Sequence, residues 1–242
     1  GTLFPYTTLF RSRIVDGSTA VVFPARRMVL LVASEVEGTA SWAHPCTEEV
    51  ADPLVASPSG GTYRFRLWDP ESEIAPRCTE SLRPAEGRWA SGSRLLGYQI
   101  EGSPEPDETL AVTLHWEVTG GPVEADIHWF NHLVDGDGEQ RAQLDGVPWP
   151  ASRWQVGDRV LWPFSLSIPS DAPPSSYGLR VGQYTYPDFE RIPVVDAAGQ
   201  PQSDAVDLPV PTSSPQKRTG FGARFDRRSS AIMSEEALWQ DR

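Results

Sequence analysis

The feature that most limits how this chain can fold is how often glycine and proline interrupt it. The 242 residues include 20 glycines and 23 prolines, which separate short segments of alternating apolar and polar residues. Long helical periodicity is almost absent. Short alternating segments between turn residues are typical of an all-β sandwich or barrel. We therefore predict a mainly β protein.

The most regular part of the chain, residues 88–211, is predicted to form a β-sandwich domain. In Thr109–Val118 the apolar side chains share one face, while Thr113, His115 and Glu117 share the other, as in a sheet with one solvent-exposed side. The predicted strands of this domain are Arg94–Ile100, Thr109–Val118, Glu124–Val134, Glu139–Leu144, Arg159–Ile168, Tyr177–Tyr186, Glu190–Val195 and Ala205–Val210.

One loop of this domain indicates its topology. The proline-rich segment Ser170–Ser176 leads into a strand that begins with Tyr177. This pattern resembles the tyrosine corner of Greek-key sandwiches, in which the phenol binds back to the backbone of the preceding loop. We predict a Greek-key, immunoglobulin-like β-sandwich. Within it, the residues Asp135–Gly138 favour a tight hairpin over a calcium loop, because the ligand ladder and helices of an EF-hand are missing.

Residues 13–87 are predicted to form a small, strand-rich α+β segment ahead of the sandwich. Thr47–Val55 is expected to form a short helix with Thr47 as its N-cap. Residues 69–86 are rich in proline and glutamate and are predicted to be a linker. Residues 212–242 have no convincing pattern and are predicted to be disordered.

Residues 1–12 are set aside from the fold prediction. Residues 3–12 read LFPYTTLFRS, which resembles the translation of a common sequencing adapter. We therefore expect the natural chain to begin upstream and the sequence to be a fragment of a larger bacterial protein. A genuine β-prone segment is the alternative.

The charge distribution argues against nucleic acid as a partner. Without residues 212–242 and Arg11, the chain carries 14 basic and 29 acidic side chains. A surface this acidic repels a phosphate backbone.

The two cysteines, Cys46 and Cys78, are compatible either with one disulfide in an oxidising compartment or with two free thiols.

No constellation of catalytic or metal-binding residues stands out in the sequence. There is no Gly-x-Ser-x-Gly elbow, phosphate-binding loop or dinucleotide fingerprint. His128 and His132 would share a strand face about 13 Å apart, too far to hold one metal ion, although His115 could approach either of them. We predict no catalytic residue, no cofactor and no metal; a hydrolase with an acidic cleft is a minor alternative.

Aromatic side chains at loops are the candidate binding residues. Trp149 and Trp154 flank one loop, and Tyr184, Tyr186 and Phe189 bracket another turn. Exposed rings at such positions can stack on sugars, although burial in the core is the commoner fate of tryptophan. The candidate glycan-stacking residues are Trp149, Trp154 and Tyr186, and core packing is the favoured alternative.

A series of short motifs adds a family resemblance over residues 88–210. It resembles the C-terminal extracytoplasmic β-sandwich of bacterial polytopic membrane glycosyltransferases related to the dolichyl-phosphate-mannose and arabinose transferases. The series departs from the family at Gly182–Asp188, which replaces a Gly-Leu-Tyr-Asp-Pro turn. The motifs are Leu95–Tyr98, Leu114–Trp116, His132–Gly138, Ser152–Asp158, Ile168–Pro174, Tyr177–Tyr184 and Arg191–Val194.

The resemblance implies a non-catalytic accessory domain on the extracytoplasmic face of a bacterial membrane. Its partners would be the transmembrane portion of the parent protein and a glycan acceptor. The family's catalytic acid lies near the first membrane helices, and no residue here matches it, so no catalytic role carries over. The alternative hypothesis is a cell-surface carbohydrate-binding or adhesion module.

Overall fold

The structure is a computed structural model, and it describes residues 20–33, 45–49, 55–56, 62–173 and 176–211. The adapter-like residues 1–12 and the predicted tail 212–242 lie outside these ranges. The prediction of a mainly β protein is confirmed, because the described ranges form antiparallel sheets and their only helical elements are two short 3₁₀ turns, Ala75–Cys78 and Ala151–Arg153.

Sixteen strands follow one another along the described ranges. They are β1 (Val21–Phe23), β2 (Met28–Ala33), β3 (Glu48–Glu49), β4 (Val55–Ala56), β5 (Thr62–Trp68), β6 (Arg83–Trp89), β7 (Ser93–Glu101), β8 (Thr109–Val118), β9 (Asp126–Val134), β10 (Gln140–Gly146), β11 (Arg159–Ser167), β12 (Gly178–Tyr186), β13 (Arg191–Ile192), β14 (Val194–Val195), β15 (Pro201–Ser203) and β16 (Ala205–Pro209).

Two of the sheets form the sandwich. A seven-stranded sheet has the order β1-β11-β8-β7-β6-β14-β15, and a five-stranded sheet has the order β10-β9-β12-β13, with β16 also paired to β12. The chain passes from one sheet to the other after β8 and returns before β11, which pairs with β8 along its whole length. This crossing pattern agrees with the predicted Greek-key sandwich.

A row of tryptophans fills the space between these two sheets. Trp89 on β6 and Trp116 on β8 lie 4.8 Å apart between ring centroids, and Trp116 lies 3.9 Å from Trp129 on β9. Trp154 and Trp162 meet Trp129 edge to face. Each large ring removes much apolar surface from water, so this row connects the two sheets through the centre of the core.

The tyrosine corner and the hairpin are both present. The Tyr177 hydroxyl donates a hydrogen bond of 2.6 Å to the Pro173 carbonyl oxygen. Asp135 accepts hydrogen bonds from the backbone N–H groups of Asp137 and Glu139, both at 3.0 Å. Gly138 has a φ of +84°, a conformation that glycine adopts without steric cost. Both local predictions are confirmed.

A third, four-stranded sheet contains both ends of the helix predicted at Thr47–Val55, whose middle, residues 50–54, lies outside the described ranges. Its order is β2-β5-β3, with β4 paired to β5. The predicted N-cap is engaged elsewhere, because Arg66 donates hydrogen bonds of 2.6 Å to both the hydroxyl and the carbonyl oxygen of Thr47. Glu48 and Glu49 then pair with β5 instead of starting a helix. Tertiary pairing overrides the local helix signal.

The linker predicted at residues 69–86 also needs correction. Cys78 lies in a 3₁₀ turn and forms a disulfide with Cys46, which settles the open question about the two cysteines. From Arg83 the chain forms β6, which pairs with β7 in the seven-stranded sheet. Because β1 pairs with β11 in the same sheet, the boundary predicted between residues 87 and 88 does not separate two units.

Residues that precede β6 in the chain cover the outer face of the seven-stranded sheet. Leu161 on β11 packs in one buried cluster with Phe23, Trp68 and the disulfide. His115 pairs directly with Leu161, so its side chain points to the same side, and it is buried. The prediction that His115 lies on a solvent-exposed face is wrong. Burial, and secondarily the positive charge of Arg159, lowers the pKa of His115 to about 4.

Within the described ranges, no helix has the length and apolar character that a membrane span requires.

Candidate functional site

The three predicted glycan-stacking residues do not share one exposed face. Trp149 and Trp154 are 2% and 1% exposed and belong to the core between the sheets. The Trp154 indole N–H donates a hydrogen bond of 3.0 Å to the Trp149 carbonyl oxygen, which folds the loop inward. The stacking role predicted for these two residues is therefore wrong, and the alternative of core packing holds. Tyr186 is 48% exposed.

Tyr186 is accompanied by a second exposed ring in the turn between β12 and β13. Phe189 is 64% exposed and has a φ of +59°, which is unusual for a residue with a bulky side chain. Its backbone N–H donates a hydrogen bond of 2.7 Å to the Thr185 carbonyl oxygen, and Thr185 N–H donates one to Glu190 at 3.0 Å. These bonds hold the turn and the two rings in place.

Four rings form an aromatic patch at this end of the five-stranded sheet. Tyr186 stacks on His128 with centroids 4.9 Å apart and planes 24° apart. Phe189 stacks on Tyr184 at 5.7 Å and 19°. Tyr186 and Phe189 meet nearly at right angles, at 81° and 5.5 Å. The inner rings therefore support the two exposed rings, which form the walls of a corner.

Strand register explains why these residues, distant in sequence, lie on one face. Asp126 on β9 pairs with Tyr186 on β12, and His128 pairs with Tyr184. Directly paired residues of an antiparallel sheet point to the same side. The opposite side of β9 carries the core residue Trp129, so the patch lies on the outer face of the five-stranded sheet.

The middle of this outer face is built on a glycine. A Cβ atom at Gly182 would lie 2.3 Å from Cζ of Phe130, so the Phe130 ring can lie over β12 only because position 182 has no side chain. The Arg191 guanidinium lies 3.7 Å above the centre of the Phe130 ring. Phe130 is therefore buried between a backbone and a cation, and Arg191 remains exposed.

A polar network adjoins the Phe130 ring. The Tyr184 hydroxyl donates a hydrogen bond of 3.1 Å to Oδ2 of Asp145, and Nε2 of His132 lies 3.7 Å from Oδ1 of the same carboxylate. Burial, together with the negative charge of Asp145, raises the pKa of Tyr184 to about 12. Burial lowers the pKa of His132, and Asp145 opposes that shift. The network presents a neutral phenol beside a carboxylate.

The aromatic patch has a carboxylate of its own. Oδ2 of Asp126 lies 3.5 Å from Nε2 of His128, and the Asp126 side chain is 58% exposed. The outer face thus combines exposed rings with hydrogen-bonding carboxylate, imidazole and guanidinium groups. The sequence pointed to Tyr186 but not to Asp126, Asp145 and Arg191. These three residues reach the outer face through strand pairing, which leaves no local signal in the sequence.

Among the described residues, no group of three or more His, Cys, Asp or Glu side chains is arranged to hold a metal ion. His128 and His132 are engaged separately, by Asp126 and by Asp145.

No protein-family model matches this chain, and no curated protein matches it either. Among solved structures, the crystal structure of the C-terminal domain of wzt is similar with a TM-score of 0.34 and 15% sequence identity. The match covers 64% of this chain and 98% of that domain. A similarity this weak supports no inference about function. The resemblance to membrane glycosyltransferases stays a prediction.

Proposed function

We propose that this chain is a non-catalytic module that binds a glycan on the outer face of its five-stranded sheet. The observation that carries the proposal is the corner formed by Tyr186 and Phe189, two exposed rings supported from behind by His128 and Tyr184. Isolated exposed apolar residues are normal on protein surfaces, but a supported pair beside polar groups marks a binding surface.

The chemistry of the face suits a sugar. The apolar face of a pyranose ring packs on an aromatic ring, while its hydroxyl groups both donate and accept hydrogen bonds. Asp126 and Asp145 supply acceptors, and the Arg191 guanidinium supplies donors. Binding sites of this kind combine apolar contact with a few placed polar groups.

We infer an extracytoplasmic accessory domain of a bacterial membrane glycosyltransferase-like protein, in which the outer face positions the glycan acceptor near the transmembrane portion. The motif series of residues 88–210 supports this role. The Cys46–Cys78 disulfide supports an oxidising compartment, because disulfides are rare in the reducing cytosol.

A cell-surface carbohydrate-binding or adhesion module is the second candidate, and the same exposed aromatic corner favours it. The two candidates share the site and differ in the chain to which the module is attached. Genomic sequence upstream of Arg13 separates them. Several hydrophobic spans there would support the accessory role, and a secreted or wall-anchored protein would support adhesion. A cytosolic enzyme there would contradict both settings.

A glycan array tests the binding itself. The double variant Tyr186→Ala/Phe189→Asn removes both rings, and asparagine suits the positive φ at position 189. Val156→Ser is the matched control, since Val156 is an equally exposed apolar residue on a different loop. We expect the wild type and the control to bind the same glycans and the double variant to lose them. Equal binding by all three proteins would contradict the proposed site.

A further inference from the structure

The outer face of the five-stranded sheet continues beyond the aromatic patch. Along β12 the outward positions are Tyr186, Tyr184, Gly182 and Arg180, in successive rows. The first and the last are six residue steps apart along an extended strand, a distance of about 20 Å. One sugar ring at the aromatic corner occupies only the first part of that length.

The far end of this face is a second group of hydrogen-bonding side chains, here called the polar end. His132 pairs with Arg180 across β9 and β12, and with Gln143 across β9 and β10. Arg180 in turn pairs with Asp207 on β16, with Nε 2.8 Å from Oδ1. Gln143, Arg180 and Asp207 are exposed, so their polar groups are accessible.

The surface between the two ends offers further hydrogen-bonding groups. There the Phe130 ring is buried between Gly182 and the Arg191 guanidinium, and the exposed groups are Arg191 and Asp145. Ala205, which pairs with Gly182, adds only a methyl group. The rows therefore form a continuous strip in which the aromatic corner is followed by exposed hydrogen-bonding groups.

The charges along the strip are mixed in sign. Successive rows carry Asp126, Arg191, Asp145 and the Arg180–Asp207 ion pair, so no row concentrates cations. An anionic polymer finds no continuous positive surface here, whereas the hydroxyl groups of a neutral glycan can pair with both signs. The charge pattern thus favours a neutral ligand.

We infer that this strip binds the internal stretch of a linear, neutral oligosaccharide, with one sugar ring in the Tyr186–Phe189 corner and further residues reaching the polar end. The inference rests on the proposed function and adds the ligand class to it. It excludes a site that recognises only a terminal sugar, because the groups at the polar end lie beyond the reach of a single ring.

The test measures affinity against chain length. Neutral manno-, malto-, cello- and chito-oligosaccharides of two to six residues are titrated calorimetrically into the wild type. We use two variants, Tyr186→Ala at the aromatic corner and Gln143→Ala/Arg180→Ala at the polar end, with Val156→Ser as control. Oligogalacturonate of the same lengths serves as the anionic comparison.

We expect at least one neutral series to bind about tenfold more tightly as a hexasaccharide than as a disaccharide, the effect of one or two added hydrogen bonds. The polar-end variant should lose this increase and keep disaccharide binding, Tyr186→Ala should weaken every length, and oligogalacturonate should bind more weakly.

Two outcomes overturn the inference in different ways. Affinity that depends on Tyr186 but not on chain length or the polar end would leave a glycan site and refute the extended strip. Binding that is unaffected by Tyr186→Ala, or binding by none of the four neutral series, would overturn the proposed function as well.

Discussion

The two outer faces of the sandwich differ in what covers them. On the seven-stranded sheet, the segment that includes Trp68 and the Cys46–Cys78 disulfide buries Leu161 and His115. On the five-stranded sheet, no such layer is present among the described residues, and the face presents supported aromatic rings. One outer face of the sandwich is thus buried beneath further strands, and the exposed face is the one that we propose binds a glycan.

The largest expected effect concerns the covered face. Replacing Cys46 and Cys78 with serine removes a cross-link between residues 32 positions apart. We expect the free energy of unfolding to fall by about 3–4 kcal/mol, because the unfolded chain gains loop entropy. Urea denaturation of the variant and the wild type measures the loss. If glycan binding fell in proportion to stability, the two faces would not be independent.

The second effect is the pH dependence that His115 produces. Its pKa is about 4 in the folded protein and 6.5 at its ordinary value. The unfolded state therefore binds more protons below pH 6.5, and the free energy of unfolding should fall as the pH drops from 6.5 to 4, by about 3 kcal/mol in total. Denaturation across this range should show a smaller slope in His115→Gln. An unchanged slope would mean that His115 is accessible to water.

The third effect concerns the open face. Gly182→Ala places a Cβ 2.3 Å from Cζ of Phe130 and 2.7 Å from the Asp204 carbonyl oxygen. We expect a loss of about 2 kcal/mol in unfolding free energy and weaker glycan binding, since Phe130 and Arg191 must shift. Gly178→Ala is the control, because its Cβ would make ordinary van der Waals contacts, with Val134 Cγ2 at 3.7 Å and the Leu208 carbonyl oxygen at 3.8 Å. Similar losses in both variants would contradict the explanation.

The smallest effect on stability should come from the residue with the largest role in binding. Tyr186 is half exposed, so Tyr186→Ala should change the free energy of unfolding by no more than about 0.5 kcal/mol. Glycan affinity should fall about tenfold or more, while Tyr186→Phe should keep most of it. Thermal unfolding and calorimetric titration measure both. A strongly destabilised Tyr186→Ala would show that the ring supports the fold.

Much of the sandwich could be predicted because its signals are local. Alternation placed Thr109–Val118 with the observed bounds, and the proline-rich loop before Tyr177 indicated the tyrosine corner. The helix start predicted at Thr47 was wrong because the capping signal of Thr47 competes with the pairing of Glu48 and Glu49 to β5. The seven-residue β6 was missed because its proline and glutamate suggested a linker, and the three-residue β15 because it is too short to show alternation.

The candidate site was also predicted only in part from the sequence. Aromatic residues near turns were visible in the sequence, and Tyr186 was among them. Whether each ring faces water depends on packing at a distance. Trp149 and Trp154 pack in the core between the sheets, whereas Tyr186 ends β12 on the outer face and Phe189 lies in the turn after it.

The sequence by itself determined the class of fold and most strand positions of the sandwich, since these follow from side-chain alternation and turn residues in short segments. Only the tertiary structure decided which outer face is covered, whether Cys46 and Cys78 are joined and which side chains lie around Tyr186. The physical reason is that strand register and the packing of a third layer depend on contacts between distant segments, which no local pattern encodes.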